Sequence, residues 1–187
     1  MKGISGSVKL LLVLMGVGVI SGLQPARAVD VNIKITGEIY IPPCEINGGT
    51  DISVDFGKMS LHDVDGQKNA QTKTVTVRCD YYQGTPYIRV DGAVLSGAGD
   101  NVLQTTGANS LMLGIALYQG DDVNTSYPLR TGAGERGQYG YQITRGLTGQ
   151  NRVSGAFTFT AVPVKHGSKA LTAGTFSAAA TMSISYL

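Results

Sequence analysis

Few residues of this chain have types and spacing that could do chemistry. Gly132 to Gly137, GAGERG, matches the GxGxxG spacing that cradles a pyrophosphate. That fingerprint needs a strand before it and a helix after it. The next residues, QYGYQIT, read as a strand, so the stretch is read as a plain glycine-rich loop. The histidines are His62 and His166. Asp63 comes directly after His62, but chain neighbours rarely face each other in a triad, and no serine lies in a nucleophile elbow. Asp63 and Asp65 in HDVDGQKN could suggest calcium, but the twelve-residue loop with its distal glutamate is missing. Asn124-Thr125-Ser126 is a formal glycosylation site, which has no force if the source is bacterial. Tyr81-Tyr82 and Tyr139/Tyr141 could stack on a sugar, but packing within or over a β-structure is the plainer reading. Neither an enzyme nor a cofactor-binding protein is expected, and no metal, small-molecule substrate or nucleic-acid site is visible.

Cys44 and Cys79 have 34 residues between them. That spacing fits no zinc pattern. In an oxidising compartment an even pair reads as a structural disulfide. Closing a loop of this length stabilises by about 4 kcal/mol. The N-terminus supplies that compartment. Lys2 and Lys9 precede and flank an uncharged, mostly apolar run from Leu10 to Ile20, and small residues Ala26 and Ala28 come after it. This is the three-part pattern of a secretory signal peptide over 1–28, and the apolar run is too short to span a membrane. Without Lys2, Lys9 and Arg27 the chain has 12 basic residues against 13 acidic. Charge is uneven, since Glu135 is the one acid between Arg130 and Lys169, but nothing points to nucleic acid or a membrane surface. The remaining 159 residues suit one domain.

The elements that would position any site are short strands. DISVDFG, TKTVTVRC, TPYIRVDG, LMLGIALYQG, GQYGYQIT, GAFTFTAVPV and TFSAAATMSISYL are separated by Gly, Asn, Asp and Ser. Short runs of this kind, with turn signals between, predict an all-β sandwich. Pro163 puts its run near a strand end or a sheet edge. SGAGDN and GDDVNTSYPLRTGAGERG read as loops.

The two ends of the mature chain stand apart. From Val29 to Ile41, apolar residues fall at every second position, with Val31, Ile33, Ile35, Ile39 and Ile41 on one side. Gly37 is the one break on that side. This predicts a strand with one buried face, separated from the rest by Pro42-Pro43, neither of which can donate to a ladder. At the other end Phe176, Ala178, Ala180, Met182, Ile184 and Tyr186 alternate with smaller or polar residues, and Leu187 comes next. An immunoglobulin-like sandwich usually places a final strand after such a segment. The expectation is therefore an open groove beside residues 176–186, with a spare strand at 29–41. Either the first strand folds back into its own groove, or it is lent to another molecule. Burying five such side chains yields on the order of 10 kcal/mol, less the costs of ordering and association.

This combination resembles the chaperone–usher pilins. The likeness rests on the signal peptide, the alternating extension with one central glycine, the cysteine after it and the second cysteine further on. Gly174, fourteen residues from the end counting inclusively, and the penultimate Tyr186 match the same family's C-terminal motif. IYIPPCEING, DISVDFG, GIALYQG, GAFTFTAVPV and TMSISYL are similar to its minor tip subunits. The resemblance implies an incomplete immunoglobulin-like β-sandwich over 42–187, lacking its final strand and completed by a donor strand from another subunit. It implies that a periplasmic chaperone lends a strand to the groove at Gly174, Phe176, Ala178, Ala180, Met182, Ile184 and Tyr186 and holds the carboxylate of Leu187. At an outer-membrane usher the next subunit's extension displaces that strand. Residues 29–41 would be this subunit's own donor strand. Gly37 would meet a place with no room for a side chain, although from the residues alone it could be a bulge. Having both strand and groove, the chain would be an internal or adaptor subunit, next to a tip adhesin, in a cell-surface fimbrium. A main-fibre pilin, or a secreted glycan-binding sandwich that fills its own groove, are the alternatives.

Overall fold

Residues 31–187 are described by the structure, a computed structural model. The signal peptide assigned to 1–28, with Val29 and Asp30, lies outside them. The chain divides into two units, Met1–Glu38 and Ile39–Leu187. In the first, residues 31–38 form no strand and are exposed. The strand expected over 29–41 is therefore absent from the described residues. Alternation specifies which side chains share a face, but a strand also needs a neighbour for its backbone groups.

In the second unit, alternating sequence produces paired strands. They run β1 (Glu45–Ile46), β2 (Gln71–Arg78), β3 (Pro86–Gly92), β4 (Val102–Gln104), β5 (Leu113–Gln119), β6 (Tyr141–Gln142), β7 (Leu147–Thr148), β8 (Ser154–Lys165) and β9 (Ala180–Tyr186). One sheet has the order β1-β2-β8-β5-β4, with β7 also on β8. The other has the order β6-β3-β9. All these ladders are antiparallel. On β2 the exposed Thr74, Thr76 and Arg78 alternate with buried Val75 and Val77, as a sheet with one solvated face requires. β5 is buried on both faces. Ile115 and Leu117 face the main core, while Ala116 and Tyr118 pack with Leu95, Val102 and Val162. Ile88, Ile184, Tyr186 and Phe157 fill the space between the sheets.

Cys44 and Cys79 form the expected disulfide, with Cα atoms 4.3 Å apart, tying the approach to β1 to the end of β2. Pro163 lies two residues before the end of β8, beyond Ala161, the last residue paired with β2. Its missing N–H therefore costs the ladder little. Three stretches read as strands differ. In QYGYQIT, Gln138 and Tyr139 end a 3₁₀ turn over Gly134–Tyr139, and only Tyr141–Gln142 pairs. In TFSAAATMSISYL, pairing starts at Ala180. DISVDFG pairs with no strand among the described residues.

Candidate functional site

A cleft of about 1360 Å³ opens between the margins formed by residues 51–58 and 174–183. Its floor is the domain's own core, including Val90, Leu103, Ile115, Leu117 and Phe159. Along the first margin Ile52, Val54 and Phe56 are half-buried, while Asp51, Ser53 and Asp55 are exposed. This period of two is that of an extended segment with its apolar side turned inward. No backbone group from Asp51 to Met59 joins a backbone–backbone hydrogen bond among the described residues. DISVDFG thus has the side-chain pattern of a strand without a partner. Phe56 approaches Phe176 on the opposite margin, ring centroids 6.2 Å apart.

The second margin is β9 and the segment before it. One edge of β9 pairs with β3. On the other, the Cys44 N–H donates to the Ile184 carbonyl at 2.7 Å. Backbone direction alternates along a strand. The backbone groups of Met182 and Ala180 therefore point away from β3, on the same side as those of Ile184 but beside the cleft, and no backbone group of the described residues meets them there. An unpaired strand edge beside an apolar trough is a template for one more strand.

The residues before β9 are held from outside. The Thr106 N–H donates to the Ser177 carbonyl at 2.7 Å. Asn109, buried, donates through Nδ2 to the Thr172 carbonyl at 2.8 Å and accepts the Thr172 N–H at 2.9 Å. Gly107 makes this approach possible, since a Cβ there would lie 2.4 Å from the Thr175 carbonyl oxygen. These contacts fix one end of the cleft without a strand inside it.

The sequence-derived site residues separate into four groups. Gly174, Phe176, Ala178, Ala180 and Met182 line the cleft. Ile184 and Tyr186 share the β9 face of Met182, but they lie in the closed core and do not border the cleft. Burial pushes the Tyr186 phenol above its ordinary pKa, against the opposing effect of the Asn151 backbone. Leu187 exchanges two backbone hydrogen bonds with Thr85, at 2.7 and 3.0 Å. In the extension Val31, Ile33, Ile35 and Ile39 are exposed and Ile41 is half-buried. A Cβ on Gly37 would meet nothing within 4 Å, and its φ is not in the left-handed region. Nothing in the described chain requires glycine there.

The other chemical motifs are occupied locally. In GAGERG, a Cβ on Gly134 would lie 2.4 Å from the Gly140 carbonyl oxygen, so that glycine serves a tight chain approach. Asp63 pairs with Lys68 at 2.9 Å. Asp65 accepts the N–H groups of Lys68 and Gln67, which hold its carboxyl below the usual range. Arg130 covers the ring of Tyr141, and Tyr82 packs against the core. Sequence reasoning misses the 51–58 margin and the Asn109 clamp. The IxVxF pattern is the available signal for the first. The second joins residues 63 apart and has no local signal.

Comparison with known proteins agrees with this geometry. The family described as "Fimbrial protein" matches residues 33–187. The chain is 42% identical over 157 residues to the fimbrial adapter PapF of Escherichia coli, covering 84% of this chain and 88% of that protein. It is 41% identical to the minor fimbrial protein PrsF of Escherichia coli, with the same coverage. The solved structure of the P pilus adaptor subunit PapF superposes with a TM-score of 0.53 at 37% identity, covering 80% of this chain and 100% of that one.

Proposed function

The chain belongs to the fimbrial protein family, and on that premise we propose that it is the adaptor of a chaperone–usher pilus, joining a tip adhesin to the tip fibre. The fold is the immunoglobulin-like sandwich lacking one strand. In this reading a periplasmic chaperone first supplies the strand that the cleft lacks. At the outer-membrane usher, a neighbouring subunit's extension replaces it, and the finished subunit stands in a surface fimbrium. The role is structural and involves no catalytic step.

The observation that carries the reading is the open β9 edge above an apolar floor, in a chain that also has an exposed alternating extension. Val31, Ile33, Ile35, Ile39 and Ile41 would enter the groove of the subunit nearer the tip. At about 1.5–3 kcal/mol each they supply on the order of 10 kcal/mol, from which association and ordering subtract. No nucleotide is needed, because the exchange ends in a better-packed sandwich. Gly37 has room for a side chain within its own chain. Its glycine is accounted for by a tight place in the acceptor groove.

The test is fibre incorporation in cells. Ile35→Asp and Gly37→Arg should leave the complex with the chaperone at normal yield and abolish incorporation into fibres. Normal incorporation of both variants would remove the donor role of the extension.

A further inference from the structure

The two margins of the cleft differ in charge. From Leu171 to Leu187 the chain has no Asp, Glu, Lys or Arg, so the side chains of the β9 margin are neutral. The opposite margin carries Asp51 and Asp55, both exposed, alternating with the inward Ile52, Val54 and Phe56. Both border the cleft, as does the exposed Lys58 beyond Gly57, so the side chains of this margin carry a net charge of −1. Asp55 accepts the N–H of Gly57 at 2.8 Å. Among the described residues neither carboxylate joins an ion pair, whereas Glu45, further along the cleft, faces Arg78 at 3.9 Å.

A strand seated between the margins turns every second side chain to the floor and the others to solvent. Its outward side chains then stand beside those of the 51–57 segment, at a cross-strand separation of about 4.5–5.5 Å. Opposite charges at that separation stabilise the pairing and like charges oppose it. The neutral β9 margin offers nothing to offset the difference.

We propose that Asp51 and Asp55 make this groove selective for a donor strand whose outward face is basic, and that they disfavour an acidic one. This rests on the strand-acceptor reading of the groove. The partner is a subunit extension with apolar residues at alternate positions and lysine or arginine between them. This chain's own extension is a poorer match. Between Val31 and Ile41 it carries Lys34 and Glu38, a net charge of zero. The acidic margin thus favours a different subunit over a second copy of the same chain.

The experiment uses the subunit purified with its periplasmic chaperone. Three synthetic peptides compete for the groove, each with the apolar positions and central glycine of residues 31–41. Their outward positions are all lysine, all serine or threonine, or all glutamate. The expected order of affinity is lysine, then neutral, then glutamate, with lysine over glutamate by roughly threefold to tenfold at low salt. The gap should shrink at high salt. It should also shrink in the double variant D51N/D55N, which removes both charges while leaving at position 55 an amide oxygen that can accept the Gly57 N–H. Equal affinities, or a reversed order, would overturn charge selection while leaving the groove as a strand acceptor. If no peptide displaced the chaperone, the strand-acceptor reading itself would fall, and the selectivity with it.

Discussion

Asn109 shows how much one buried side chain can hold. Its amide satisfies both backbone groups of Thr172, and its Oδ1 also accepts from the Thr172 hydroxyl at 3.2 Å. Asn109→Ala leaves those groups without their partner. Removing one side of a buried hydrogen bond costs about 1–3 kcal/mol. The strand-completed protein should melt several degrees lower, and donor peptides should bind more weakly because the cleft rim is no longer fixed. A variant with unchanged melting temperature and peptide affinity would show that Asn109 does not hold the rim. This residue is not legible in the sequence, because its contact spans 63 positions and an isolated asparagine in GANS reads as loop. Cys44 and Cys79 are legible, since export and an even count suffice to pair them. After GAGERG the sequence suggests a longer strand than the one that forms, because the intervening turn depends on the approach of Gly134 to Gly140.

At the scale of elements, alternation and pairing are separate properties. Val31 to Ile41, Asp51 to Gly57 and Phe176 to Tyr186 all alternate, yet only 180–186 of these forms a ladder. The rest have strand-like side chains and lack a backbone neighbour. Sequence reveals the first property directly; an open groove is expected from it beside residues 176–186, but alternation alone does not mark Asp51 to Gly57 as the margin that faces that groove. The same separation gives the disulfide its importance. β1 is only two residues long, and the chain that leads from it into the 51–58 margin is anchored by Cys44–Cys79. Replacing both cysteines with serine should destabilise the strand-completed domain by about 4 kcal/mol in the loop-entropy model. Denaturant unfolding of the strand-completed protein, with and without reductant, measures this. An unchanged midpoint would mean that the sheet holds this margin without the bridge.

For the molecule as a whole, the missing strand dominates stability. A domain is stable by only about 5–15 kcal/mol. An unfilled apolar trough removes a substantial fraction of that and leaves an edge open to aggregation. A subunit built this way needs a chaperone before assembly and a neighbour after it. The sandwich lacks one strand and is completed by a strand of the right pattern. The most direct measurement is thermal unfolding of the mature chain, compared with a version carrying a flexible linker and a copy of residues 29–41 after Leu187. The appended strand should raise the melting temperature by tens of degrees and sharpen the transition. Equal melting temperatures, both high, would mean that the sandwich is already complete and the groove is not a strand site.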